Sequence, residues 1–102
     1  MAHIRIALLN KVVKELPPEE QEELIKRGAF LRLTELKKRL DIAKLRIKEF
    51  GIKYRTTFTE LSKRGLPETA GYEMHEDFME WKHWIKVSQE TDRIIKKISK
   101  II

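Results

Sequence analysis

The stretch Leu33-Thr34-Glu35-Leu36-Lys37-Lys38-Arg39-Leu40-Asp41-Ile42-Ala43-Lys44-Leu45-Arg46-Ile47-Lys48-Glu49-Phe50 sets the register of the chain. Its residues Leu33, Leu36, Leu40, Ala43, Ile47 and Phe50 follow a strict alternation of three- and four-residue steps. That rhythm predicts one long helix with an apolar seam, and such a seam needs a surface to pack against. The neighbouring positions Arg32, Lys37, Arg39, Lys44 and Arg46 are all positive. A parallel pairing of two such helices would set like charges against each other and repel. The expected mate is therefore antiparallel and acidic. Glu73 to Glu80 supplies one candidate within the chain, and a separate acidic protein is the other.

Working outward, 102 residues make one domain spanning 1–102. A core of that size is small, and oligomerisation often supplements it. Charged residues at 37% with 41% hydrophobic residues and clear periodicity fit an exposed helical protein and exclude a disordered one. The absence of cysteine removes disulfides, thiolate zinc sites and cysteine nucleophiles, and suits a reducing, cytoplasmic setting. No signal peptide and no apolar run of about 18 residues is found, so secretion and membrane insertion are not expected. The net charge of +6 is unevenly placed. Lys26 to Arg55 holds 11 basic and 3 acidic residues, whereas Glu68 to Asp92 holds 2 basic and 7 acidic ones. The chain thus carries its own counter-charge, which weakens a nucleic-acid reading.

The N-terminal residues admit two readings. His3-Ile4-Arg5-Ile6 alternates like a short strand, while Ile6, Leu9, Val13 and Leu16 keep helical spacing. A helix over about 4–16 is the preferred expectation. Pro17-Pro18 ends it, and Pro18 opens the next helix, with Glu19, Glu20, Glu22 and Glu23 complementing its dipole. Gly28 either pauses this helix or is carried through it, and Gly51 is the expected stop. Thr57-Phe58-Thr59-Glu60 reads as a capping box for a short helix ending at Gly65. A last helix is expected over about 75–100. Its apolar positions are wide enough for two seams, one through Phe78, Trp81, Ile85 and Ile95, the other through Trp84, Val87, Ile94, Ile98 and Ile101.

Catalytic residues are not indicated. No Gly-rich phosphate loop or nucleophile elbow occurs, and Ser62, Ser88 and Ser99 lie in helical patterns without a base beside them. Glu80 and His83 have the spacing used in di-iron bundles, but such a site needs a second pair and two more carboxylates. No metal or cofactor is therefore expected, and the chain is read as a non-enzyme. The basic seam could contact phosphates, yet no aromatic lies between Arg32 and Arg46 to stack a base, so nucleic acid is the alternative rather than the first reading. Phe78, Trp81 and Trp84 read as interface anchors, and Arg39, Lys44 and Arg46 as the charges that orient a partner.

Three stretches resemble a group of small archaeal and bacterial helical proteins: the basic helix ending Ile47-Lys48-Glu49-Phe50, then Lys53-Tyr54 with Thr57-Phe58-Thr59-Glu60-Leu61, then Tyr72 to Trp81 with His75-Glu76-Asp77-Phe78 and Glu80-Trp81. Members of that group are often antitoxin-like partners of small toxins. The resemblance covers roughly 36–81 and implies partner binding. The mechanism expected of such a module is occlusion of its partner, in a homo-oligomer or a complex with a small toxin-like protein. The combined expectation is an all-α protein-interaction module. Its three to four helices would form an antiparallel hairpin or bundle around a long heptad helix, with a short N-terminal strand as the alternative ending.

Overall fold

The computed structural model describes residues 2–102. Four helices follow in order: α1 (Ala2–Glu15), α2 (Pro18–Tyr54), α3 (Phe58–Arg64) and α4 (Tyr72–Ser99). The chain is all-α, and no strand occurs among the described residues, so His3 to Ile6 is helical.

The helices do not gather into a closed bundle. The molecule measures 64 × 28 × 19 Å with a radius of gyration of 19.8 Å, against about 13 Å for a compact chain of this length. The length comes from α2, whose 37 residues rise about 55 Å. Only α4 packs extensively along it. Their directions are opposed: Lys53 of α2 meets Glu73 and Asp77 at the start of α4, while Phe30 of α2 lines one cavity with Ser99 at the end of α4 and Ile102 just beyond it.

The predicted seam of α2 faces this junction. Ala29, Leu33, Leu36 and Ala43 are buried, and Leu40, Ile47, Phe50 and Tyr54 are half-buried. On α4, Trp81 and Thr91 are buried, with Phe78, Ile85, Ser88, Ile95 and Ile98 half-buried. Both runs keep the three-four rhythm that holds two helices in register over many turns.

Two expected boundaries move. α2 passes through Gly51 and ends at Tyr54, with Arg55 as the cap in the left-handed region at φ 53° and ψ 40°. Stacking of Phe50 and Tyr54 on Trp81, with ring centroids 5.8 and 6.2 Å apart, draws the extra turn into the helix. The same contacts outweigh the left-handed backbone at Arg55, which costs a non-glycine residue about 1–2 kcal/mol. α4 begins at Tyr72 rather than near His75, with Gly71 as its first cap. Gly28 lies within α2 and does not interrupt it.

The α1–α2 corner has its own fastening. Neither Pro17 nor Pro18 can donate a backbone hydrogen bond, so the last carbonyls of α1 need another donor. Gln21 provides it: its side-chain amide donates to the Leu16 carbonyl at 2.7 Å and the Lys14 carbonyl at 3.4 Å. At α3, the Thr57 hydroxyl accepts from the Glu60 backbone N–H at 3.2 Å. The reciprocal half of the capping box is replaced, because the Glu60 carboxylate accepts from the Thr56 hydroxyl at 3.1 Å.

Candidate functional site: a groove between α2 and α4

Residues seven apart on α2 share a flank, and this divides the basic residues into two sets. Arg32, Arg39, Arg46 and Lys53 run down one side of the seam, with Lys37 and Lys44 on the other. On the first side Arg32 pairs with Glu35 at 3.0 Å, Arg46 with Glu49 at 3.4 Å, and Lys53 with Glu73 and Asp77 at 2.7 and 2.6 Å. Arg39 has no carboxylate partner among the described residues.

Arg39 edges a groove of about 540 Å³ between α2 and α4. Ile42 from α2 and Trp84, Val87 and Ile94 from α4 supply its apolar lining. Glu35, Lys38 and Arg39 stand on the α2 side, and His83 and Glu90 on the α4 side. The Trp84 ring meets the His83 ring edge-on, 5.3 Å between centroids, and its indole N–H donates to Glu80 at 3.4 Å. The apolar residues on α4 are those of the second predicted seam. Its first seam packs against α2, so the second lies beside the junction and is left open.

The six residues singled out in the sequence therefore separate. Arg39 and Trp84 come together in the groove. Lys44 points along the opposite flank, and Arg46 is held to Glu49. Phe78 stacks on Phe58 at 5.1 Å. Trp81 is only 1% exposed, enclosed by Phe50, Tyr54 and Phe58, so Phe78 and Trp81 secure the junction rather than face outward.

The acidic start of α4 meets a different base from the one the seam suggested. Because α4 runs antiparallel, Glu73 and Asp77 come to the end of α2 and take Lys53, away from Arg39, Lys44 and Arg46. Asp77 also accepts from the Tyr54 hydroxyl at 2.5 Å. The Lys53 ammonium, then the Tyr54 hydroxyl, hold the Asp77 carboxyl below the usual carboxylate range. Lys53 is shifted up in turn, by Asp77 first and Glu73 second. Burial, then the bond to Asp77, raises Tyr54.

Among the described residues, no group of three or more His, Cys, Asp or Glu side chains could hold a metal ion, and no helix is long and apolar enough to cross a membrane. Compared with protein families, curated proteins and solved structures, the chain matches none.

Proposed function

We propose that this chain is a non-enzymatic protein-interaction module, and that the groove beside Arg39 and Trp84 receives an amphipathic, acidic helix of a partner protein. The observation that carries the reading is the pairing of an unmatched guanidinium with an apolar trough. Ile42, Trp84, Val87 and Ile94 give the trough an apolar lining for one face of a helix, and Lys38 and Arg39 at its α2 edge attract carboxylates beside that face. Tryptophan and arginine are also the side chains that dominate binding energy at interfaces.

The nucleic-acid alternative has less to rest on. Arg32 and Arg46 are already matched by Glu35 and Glu49, and Lys37 and Lys44 lie on the other flank, so the bases do not form one continuous strip for phosphates. In its antitoxin-like form the reading is occlusion: the partner's working surface is covered by the groove. Co-expression with the product of the adjacent reading frame, followed by native mass measurement, is expected to give a mixed complex. The Arg39→Glu, Trp84→Ala double variant should weaken it by about a hundredfold, from two interface positions each worth more than 1 kcal/mol. A wild-type chain that forms no complex with that product, or a double variant that binds it equally well, removes the occlusion reading.

A further inference from the structure

α1 has almost no neighbour in its own chain, and its Ile4, Ile6, Leu8, Leu9 and Val12 stay 50–66% exposed. The groove between α2 and α4 offers more, because its two walls carry opposite charges at one level. Two contacts fix the antiparallel register: Lys53 bonds Asp77 at one end, and Phe30 shares a cavity with Ser99 at the other. Between them each step forward along α2 is a step back along α4. Arg39 therefore lies level with Glu90, Ile42 with Val87, and Glu35 with Ile94. From Ile94 to Trp84 the groove extends about 15 Å, or about three helical turns. The level of Arg39 and Glu90 falls near its middle.

These two charges do not cancel each other. Both side chains are exposed, and neither has an ion-pair partner among the described residues. Thr91, only 2% exposed, lies in the groove floor beside them. The remaining charges at the groove leave this polarity in place. Lys38 stands next to Arg39 and also lacks a carboxylate partner among the described residues. Glu35 is held by Arg32 at 3.0 Å. Glu80 takes the Trp84 indole N–H, and the His83 ring lies against Trp84. At mid-groove the α2 wall is thus positive and the α4 wall negative.

We infer that the helix received by this groove is two-sided in charge: beside its apolar stripe it carries carboxylates toward Lys38 and Arg39, and an ammonium or guanidinium toward Glu90. The inference rests on the groove being a helix-docking site, and it makes Glu90 a specificity determinant of that site. A helix lying along a trough turns one flank to each wall. Acids on both flanks would set a carboxylate against Glu90, and like charges facing each other across an interface reject a partner. A base on the second flank turns the same position into an attraction.

Three helical peptides test this. They share a leucine face and a row of glutamates along one flank, and the other flank holds lysine, glutamine or glutamate. Binding to the full chain at low salt, where exposed charges are least screened, is followed by the Trp84 indole proton resonance. The wild type is expected to prefer lysine to glutamine and glutamine to glutamate, by about two- to fivefold at each step, as for an exposed ion pair. Glu90 lies outside the buried seam, so Glu90→Lys should keep the helix content and reverse the order, and Glu90→Gln should flatten it. A lysine peptide that binds the wild type no better than the glutamine peptide overturns the inference, as does an order that survives Glu90→Lys. In both cases the peptides still bind and the groove reading stands. A Trp84 resonance that responds to none of the three overturns the groove reading, and this inference with it.

Discussion

Replacing Trp81 with alanine is expected to remove about 3–5 kcal/mol of stability, the range for deleting a large buried aromatic. The ring is enclosed by Phe50 and Tyr54 from α2 and by Phe58 from α3. It meets all three of these rings, so its loss loosens the helix junction and the connector together. Small domains carry about 5–15 kcal/mol in total, and an elongated chain with one seam has little reserve. Trp81→Phe should behave differently. The indole N–H of Trp81 is buried without an acceptor, and such a donor costs about 1–3 kcal/mol. Phenylalanine gives up contact area but removes that penalty, so the net loss should be well under that of alanine. Urea unfolding followed by far-ultraviolet circular dichroism reads both. A Trp81→Ala loss below about 1 kcal/mol would mean that the aromatic junction does not hold α2 to α4.

The second large effect is at Asp77. Asp77→Ala leaves the half-buried Tyr54 hydroxyl without its acceptor and should cost about 1–3 kcal/mol. The sign with pH follows from the shifts. A carboxyl held below its ordinary value of 3.8 contributes stability that is fully present above that value. That contribution is lost as pH falls through the lower folded value. Tyr54 is shifted up from 10.0, so its contribution is fully present below 10.0 and fades as pH rises through the higher folded value. Wild-type stability should therefore decline at both ends. In Asp77→Asn the acid decline should be much shallower, because the group that titrates there is gone. An acid limb of equal steepness in the two proteins would separate Asp77 from the acid sensitivity.

The long helix was legible because Leu33 to Phe50 keeps its spacing without a break, and the burial of Leu36 and Ala43 follows that spacing. The α3 cap was legible because Thr57 and Glu60 have a fixed local geometry. What failed were readings in which a tertiary contact outweighs a local signal. Gly51 looks like a stop, but Phe50 and Tyr54 stack on Trp81 and pull the helix past it. Trp81 and Trp84 look alike in sequence, and only the direction of α4 decides that one faces α2 and the other the groove. Arg39, Lys44 and Arg46 look like one set until their seven-residue relations to Arg32 and Lys37 are followed, which separates the flanks. The isolation of α1 had a sequence signal too, since its apolar residues outnumber what one face of a short helix needs.

The two tryptophans permit a direct measurement on the central claim, that the groove beside Arg39 is a docking surface for an acidic helix. Each indole N–H gives its own proton resonance, and one reports the groove while the other reports the buried junction. Titrating the full chain with an amphipathic helical peptide that carries leucines on one face and glutamates beside them should move the Trp84 indole resonance. The Trp81 resonance should stay in place, and Arg39→Glu should abolish the Trp84 shift. A Trp84 resonance that does not respond, or one that responds equally in Arg39→Glu, would contradict the account.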